Sequence, residues 1–223
     1  MQLKFYGHAC WSITHNKITL FFDPFITDNP ANKMFKAEDL SANYILVSHA
    51  HSDHIGDAAS IAKRCKATVI STAEVCYKLA EDGCKTHAMH IGGKYTFEFG
   101  YVRVTPAFHG SGIAGGHACG FIVNFYGKTF YFAGDTSLFG DMKLLGELEQ
   151  IDYAMLPIGS NYTMGPDDAV IAAKLLNAKT ILPMHYNTWP VIEQDPELYK
   201  KAVLDNGYAK NVIILQSGDK LDV

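Results

Sequence analysis

Residues 49–54, with the sequence HAHSDH, place three imidazoles and one carboxylate just after an apolar run at residues 44–47 (YILV). Polar side chains crowded at the end of a buried strand are destabilising unless a partner fills the space between them. A divalent cation is such a partner, because histidine nitrogens and aspartate oxygens are ligand atoms that hold zinc. His49 and His51 project to one side of an extended backbone, whereas Asp53 and His54 follow after the chain turns. The segment therefore predicts two neighbouring metal sites.

The composition predicts a globular chain with a full core, since 48% of the 223 residues are hydrophobic and 19% are charged. The net charge of −4, with ten histidines counted as neutral, is not the basic balance of a general nucleic-acid-binding protein. The five cysteines form no C-x-x-C pair, so we expect no disulfide framework and a reducing compartment.

The chain also lacks targeting and membrane signals. The N-terminal residues show no signal-peptide pattern, and no apolar run approaches the roughly 18 residues that a membrane helix needs. We therefore expect a soluble cytoplasmic protein without a membrane partner. No linker, low-complexity stretch or charge run divides residues 1–223, so we expect a single domain.

Hydrophobic patterning predicts many short strands and a few helices. The predicted strands are residues 3–6, 10–14, 17–22, 45–48, 67–71, 95–99, 101–105, 121–125, 129–133, 153–156, 180–183 and 212–215. The predicted helices are residues 55–65, 73–81, 138–148, 167–176 and 196–206. Hairpins come first, strand–helix units follow, and the same order is then repeated. This order predicts an α/β fold, a four-layer αββα sandwich of two sheets with helices outside.

Three further candidate ligands each follow a β-like run, as the polar residues of layered α/β sites do. They are His109, Asp135 and His185, after residues 102–105, 129–133 and 181–184. Taken singly, each is compatible with an ordinary hydrogen-bonded residue at a strand end. Their joint occurrence after residues 49–54 predicts a shared centre.

Together with these ligands, several segments resemble the metallo-β-lactamase superfamily, and the resemblance spans nearly the whole chain. The segments are residues 6–8 (YGH), 23–24 (DP), 48–57 (SHAHSDHIGD), 106–109 (PAFH), 131–135 (YFAGD), 138–142 (LFGDM), 156–165 (LPIGSNYTMG) and 183–188 (PMHYNT). Within the superfamily the chain is most similar to a family of bacterial metal-dependent hydrolases, near the branch of the L-ascorbate 6-phosphate lactonases. The αββα sandwich that this resemblance implies agrees with the predicted order of layers.

The resemblance implies a role for each candidate ligand. One metal would be held by His49, His51 and His109, the other by Asp53, His54 and His185, with Asp135 bridging both. The implied cofactors are two divalent ions, in the first place zinc, and manganese or iron also suit nitrogen and oxygen ligands. Asp53 is also a candidate catalytic residue, because its free oxygen could orient the nucleophile or carry a proton to the leaving group.

Such a centre predicts hydrolysis by a hydroxide that bridges the metals. Two cations about 3.5–4 Å apart can share one water and lower its pKa toward about 7. Two zinc ions, Asp53, Asp135 and the hydroxide together leave one formal positive charge, which favours an anionic or strongly polarised substrate group. Esters, lactones and phosphoesters of small molecules satisfy this condition.

Other residues are candidates for the surroundings of the metals or the substrate. Asp23 and Asp57 could orient zinc-bound histidines, and for Asp57 a charge in the first turn of a helix is an equal alternative. The resemblance places His8 near the metals as a neighbour. The loop residues that could contact substrate, or only satisfy local turns, are Asn161, Tyr162, Thr163, Tyr186 and Asn187. The histidines interpreted as surface or structural are His15, His87, His90 and His117.

Two function classes compete with a small-molecule hydrolase. A ribonuclease Z-like nuclease or phosphodiesterase shares the ligand set, but a nuclease needs a basic groove or arm that this acidic chain does not show. Metal storage predicts a closed coordination sphere, whereas seven ligands around two ions leave open positions. We therefore expect a small-molecule substrate and no nucleic-acid partner, with a homo-oligomer left open.

Overall fold

The computed structural model describes residues 1–223 and contains two seven-stranded sheets. In spatial order, the first sheet contains β14 (Lys220–Asp222), β1 (Gln2–Gly7), β2 (Cys10–His15), β3 (Ile18–Phe22), β4 (Tyr44–Leu46), β5 (Thr68–Thr72) and β6 (Lys85–Met89). The second sheet contains β13 (Asn211–Val212), β12 (Thr180–Met184), β11 (Tyr153–Pro157), β10 (Lys128–Phe132), β9 (Cys119–Phe125), β8 (Gly100–Pro106) and β7 (Lys94–Phe97). Each sheet begins along the chain with antiparallel hairpins and continues with parallel strands.

Six helices connect the strands. They are α1 (Ser52–Ile55), α2 (Ala58–Cys65), α3 (Ala73–Glu81), α4 (Met142–Leu148), α5 (Pro166–Leu176) and α6 (Pro196–Asp205). Local sequence accounts for several of their ends. Asp195 caps α6 by accepting hydrogen bonds from the backbone of Glu197 and Leu198, and Asn177 ends α5 in the left-handed conformation. None of the six helices has the length and hydropathy that a bilayer span needs.

Apolar side chains pack in three layers and hold the sheets and helices together. Between the sheets, Phe22 stacks on Phe132 with ring centroids 5.0 Å apart. A second cluster fills the space between the second sheet and helices α4, α5 and α6, and a third lies between the first sheet and helices α2 and α3. Strands that are buried on both faces thus separate two helical layers, and the predicted four-layer αββα sandwich is confirmed.

Two predicted helices are shorter than expected. The helix predicted over residues 55–65 is divided into α1 and α2, because Gly56 lies against the backbone of Pro24 and Phe25 with a φ of 34°. The helix predicted over residues 138–148 begins only at Met142. Strands β6 and β14 were not predicted, since both are edge strands with little apolar alternation and form by pairing with a neighbour already in the sheet.

Gly100, at the turn of the β7–β8 hairpin, lies too close to the neighbouring strand for a larger residue. Gly100 has a φ of 137°, and a Cβ atom there would lie 2.1 Å from the carbonyl oxygen of Asn124. We expect Gly100→Ala to lower the free energy of unfolding by about 1–3 kcal/mol, because the change adds both backbone strain and a backbone clash. Gly127→Ala is the matched control, since Gly127 has a φ of 86° but no atom within 4 Å of a new Cβ. Equal losses for the two variants in urea unfolding would contradict the proposed clash.

Candidate metal centre

The seven predicted ligands are brought together at one edge of the sandwich, beyond the carboxyl ends of strands. The segment that contains His49 and His51 follows β4, and His109 follows β8. Asp135 follows β10, and His185 follows β12 with a φ of 56°. Strands β3 and β4 are parallel in the first sheet, as are β10, β11 and β12 in the second, so these ends face the same side. Sites in parallel α/β sheets are built at this position.

Three imidazoles form the first group of candidate ligands. The Nε2 atom of His49 lies 2.9 Å from Nδ1 of His51, and Nε2 of His109 lies 3.3 Å from the same Nδ1 atom. The three nitrogens therefore surround a common point. We call His49, His51 and His109 the first group.

Asp53, His54 and His185 form the second group. The Oδ2 atom of Asp53 lies 3.6 Å from Nε2 of His54 and 3.8 Å from Nε2 of His185. His8, at the turn between β1 and β2, also reaches this point, with its Nε2 atom 3.1 Å from Oδ2 of Asp53. His8 is thus a direct neighbour of the second group.

Asp135 lies between the two groups. Its Oδ1 atom is 3.3 Å from Nε2 of His54, and its Oδ2 atom is 3.1 Å from Nε2 of His185. The same Oδ2 atom is 3.5 Å from Nε2 of His109, which belongs to the first group. One buried carboxylate therefore contacts both groups, as a bridging ligand must.

These spacings and the unsatisfied atoms fit a metal centre. Metal–ligand bonds of about 2.0–2.1 Å in a tetrahedron place ligand atoms roughly 3.3 Å apart, which is close to the separations within the two groups. The buried atoms without a hydrogen-bond partner include Nε2 of His54, Oδ1 of Asp135 and both ring nitrogens of His185. Orphaned polar atoms are rare in folded proteins and require a partner. Cations at this point would satisfy them.

Sequence comparisons identify the family. A family model described as the β-lactamase superfamily domain matches residues 19–186. A UPF0173 metal-dependent hydrolase of Natranaerobius thermophilus is 51% identical over 223 residues, which is 100% of both chains. This chain belongs to the UPF0173 metal-dependent hydrolases. A further relative, from Symbiobacterium thermophilum, is 51% identical over 98% of each chain. Among solved structures, the metallo hydrolase Igni18 of Ignicoccus hospitalis matches with a TM-score of 0.93 and 35% identity, over 99% of this chain and 97% of that chain.

Outside the two groups, Asp23 organises the surroundings in this UPF0173 hydrolase. It is fully buried, and its Oδ2 atom is 2.6 Å from Nδ1 of His54. It also accepts hydrogen bonds from the backbone nitrogen and the hydroxyl group of Ser48, at 2.7 and 2.5 Å. The same Ser48 hydroxyl lies 2.9 Å from Nδ1 of His49. Asp23 thus contacts one histidine of the second group directly and one of the first group through Ser48, and a residue that orients metal ligands would make such contacts.

Burial and mutual charge shift the proton affinities of the centre. Burial lowers the pKa of His49, and the neighbouring His54 lowers it further. Burial alone would raise the pKa of Asp135, but His185 and His54 hold it well below its usual range. For His54, burial lowers the pKa, yet Asp135 and Asp23 outweigh it and raise the pKa well above the usual value. A metal ion that binds His54 and Asp135 would displace a proton from the His54 ring. Metal binding at this centre therefore competes with protonation of His54.

Four predicted surrounding residues of the UPF0173 hydrolase do not face the metal centre. Asp57 accepts hydrogen bonds from the backbone nitrogens of Ile26 and Thr27, at 2.9 and 2.8 Å. The prediction that Asp57 orients a histidine is therefore wrong, because its carboxylate fixes the loop after Asp23 instead.

Three of the five loop residues offered as substrate contacts, Asn161, Tyr186 and Asn187, also lie away from the cleft. Asn187 accepts a hydrogen bond from the backbone nitrogen of Gln194, and Tyr186 packs against the apolar cluster under α5 and α6. Asn161 occupies a turn with a φ of 53°. None of the three lines the cleft over the metal centre. For these positions the turn and packing interpretation is the one that the structure supports.

Of the loop residues offered as substrate contacts, Tyr162 lines the cleft, together with apolar residues that the sequence analysis did not select. The cleft has a volume of about 400 Å³, and the side chains around its metal-facing floor include Phe25, Tyr162, Trp189 and Val191. Trp189 lies against His8, with ring centroids 4.9 Å apart. A tryptophan four residues after a candidate ligand, in a loop, was the available signal. Its orientation toward the cleft depends on chain segments that are distant in the sequence.

Proposed function

We propose that this enzyme hydrolyses esters, lactones or phosphodiesters of small molecules at a dinuclear centre. The observation that carries the proposal is the single carboxylate of Asp135, which contacts both ligand groups. The seven predicted ligands would hold two divalent cations, with zinc as the ion that these nitrogen and oxygen atoms favour. When bound, two such ions activate a water for attack and polarise the substrate oxygen.

Asp53 is held in its ionised form, with one carboxylate oxygen left free. Burial would raise the pKa of Asp53, but the hydrogen bond from His8 and the charge of His54 hold it below the usual range. His8 Nε2–H donates to Oδ2 of Asp53, and the Thr188 hydroxyl lies 2.8 Å from Nδ1 of His8. Oδ2 also points to the second group, so Oδ1 is left to take a proton from the nucleophile or give one to the leaving group.

The charge balance narrows the substrate class. Two divalent cations carry four positive charges, and the carboxylates of Asp53, Asp135 and Asp23 remove three. A water that loses its proton at this centre removes the fourth. Asp23, which the sequence-based count omitted, therefore makes the centre formally neutral during attack. A neutral centre favours a polarised carbonyl or a phosphodiester with one charge over a phosphomonoester with two.

The walls of the cleft favour a small apolar molecule over nucleic acid. No lysine or arginine lines the cleft, whereas Phe25, Trp189 and Val191 do. Polynucleotide binding depends on cationic side chains along the backbone path. Lactones remain among the proposed substrates through the resemblance to the L-ascorbate 6-phosphate lactonases. Because no lysine or arginine side chain lines the cleft to pair with a phosphate group, we favour lactones without one.

Metal removal and a cleft variant test this proposal together. We expect chelation to abolish hydrolysis of bis-aryl phosphodiesters or aryl lactones, and two equivalents of Zn²⁺ to restore it. Trp189→Ala should raise KM for the aryl substrate about tenfold with little change in kcat, because loss of aromatic contact weakens binding by about 1.4 kcal/mol.

Tyr77→Ala is the control for that variant. Tyr77 is 63% exposed on α3 and does not line the cleft, so its KM should equal that of the native enzyme. The proposal fails if the zinc-loaded enzyme hydrolyses none of the aryl esters, lactones and phosphodiesters, or if chelation leaves the activity intact.

A further inference from the structure

We propose that Glu74, His90 and His117 form a separate zinc site beside the carboxyl ends of strands β5 and β6. Each offers a ligand atom, and these three atoms lie within 4.8 Å of one another. None of the three belongs to the metal centre described above. We call this cluster the peripheral site.

Three separate parts of the chain meet at the peripheral site. Glu74 lies in the first turn of α3, His90 follows β6, and His117 ends the loop that leads into β9. The imidazoles of His90 and His117 have centroids 5.5 Å apart. The Thr72 hydroxyl donates a hydrogen bond to the carbonyl oxygen of His117, at 3.2 Å, and so fixes the backbone of His117 beside α3.

The side chains of the peripheral site form no hydrogen bonds with one another. No hydrogen bond or ion pair joins Glu74 to either imidazole, although all three ligand atoms are near one another. The Oε2 atom of Glu74 is buried and has no hydrogen-bond partner. A carboxylate oxygen that is removed from water without a partner is destabilising, and a cation at this point would satisfy it.

The donor set favours zinc. Two imidazoles and one glutamate are a known set of three protein ligands for zinc, and water completes the tetrahedron. Both imidazoles are solvent-exposed, so small rotations can bring the ligand atoms to the roughly 3.3 Å separation of a zinc site. The Nδ1 atom of His90 accepts a hydrogen bond from the backbone nitrogen of Ile91, at 3.0 Å. Binding through Nε2 would move the ring proton to Nδ1 and break this bond, so the affinity is below that of a preformed site.

Zinc at the peripheral site would anchor the loop that contains His109. That loop runs from His109 to His117 and includes four glycines, at positions 110, 112, 115 and 116. Its first part is already held, because Ser111 accepts a hydrogen bond from the backbone of Ala50 at 2.8 Å and Gly112 packs on the Ala50 backbone. Its far end reaches the peripheral site. A cation there would reduce the loop's freedom and support the position of His109.

Zinc counting on the full-length protein tests the peripheral site. Metal-depleted protein is loaded with Zn²⁺ alone, desalted and analysed for zinc per chain. We expect His117→Asn and Glu74→Gln each to hold one zinc fewer than the native protein. The matched controls are His15→Asn and Glu81→Gln, a histidine and a glutamate outside the cluster, and both should keep the native count.

Hydrogen exchange of the loop provides a second readout. Zn²⁺ should slow exchange of the amides at residues 113–117 at least about threefold in the native protein and not in His117→Asn. His117 is exposed, so its replacement leaves the fold intact and keeps this comparison valid. Equal zinc counts in the native protein and both site variants would overturn the proposal. A zinc loss of the same size in His15→Asn would also overturn it, because it would indicate dispersed binding by surface histidines.

Discussion

Asp135→Asn is expected to lower kcat/KM at least about 10³-fold and to remove one of the two ions bound at the candidate metal centre. Asp135 is buried and contacts both ligand groups, through His54 and His185 on one side and His109 on the other. An amide in its place has one neutral oxygen, so it can neither bridge two cations nor balance their charge. Loss of metal activation removes several kcal/mol of transition-state stabilisation, and about 4 kcal/mol corresponds to 10³-fold in rate.

The measurement combines zinc analysis with turnover of the aryl substrate that the native enzyme cleaves. Asp141→Asn is the matched control, since Asp141 is exposed and makes no side-chain hydrogen bond. We expect native activity and native metal content for this control. An Asp135→Asn variant that keeps two tightly bound zinc ions and full turnover would remove the basis of the dinuclear proposal.

Asp23→Ala is expected to weaken metal binding about 10- to 100-fold, as loss of a residue that orients a metal ligand does. The change removes the acceptor for three buried donors, namely the backbone and hydroxyl groups of Ser48 and Nδ1–H of His54. Unsatisfied buried donors are each destabilising by about 1–3 kcal/mol. Removal of a buried charge offsets part of this loss, so we expect the free energy of unfolding to fall by about 2–4 kcal/mol.

Unfolding of the metal-free protein separates the two effects of Asp23→Ala. The free energy of unfolding is measured in urea without metal, and zinc affinity is measured by competition with a chelator. Asp23→Asn should recover part of the stability, because its amide oxygen can still accept from Ser48. Asp39→Ala, at an exposed position without a side-chain hydrogen bond, should change neither quantity. Native zinc affinity in Asp23→Ala would show that Asp23 has no orienting role.

The order of the elements was predictable because strand and helix patterns are local. The helix predicted over residues 73–81 is α3 to the residue. The strands predicted at residues 95–99 and 101–105 form the β7–β8 hairpin, and those predicted at 121–125 and 129–133 form the β9–β10 hairpin. Local patterns failed where a contact from elsewhere decides the conformation. Gly56 divides a predicted helix because the loop at Pro24 packs against it, and β14 forms because β1 is available as a partner. Neither contact can be inferred from residues within a few positions.

The metal-facing residues were predictable for a different reason. Several ligand types at the ends of apolar strands are unusual enough to be recognised without coordinates, and the structure brings all seven to one edge. The roles of the residues around the ligands were harder to predict. The sequence offers both Asp23 and Asp57 as residues that could orient a zinc-bound histidine. In the structure Asp23 contacts His54, whereas Asp57 holds the backbone of a loop. Only the path of the chain after β3 separates these outcomes.

The amino-acid sequence by itself determined the two-sheet layering, the strand ends that contain ligands and the chemical type of each ligand. These properties depend on side-chain identity and on periodicities of a few residues. The tertiary structure alone decided that Asp135 contacts both groups, that Trp189 lines the cleft, and that Glu74, His90 and His117 meet beside the ends of β5 and β6. Each of these depends on the distance between segments that are far apart in the chain. The packing of the sandwich sets these distances, and no local sequence pattern encodes them.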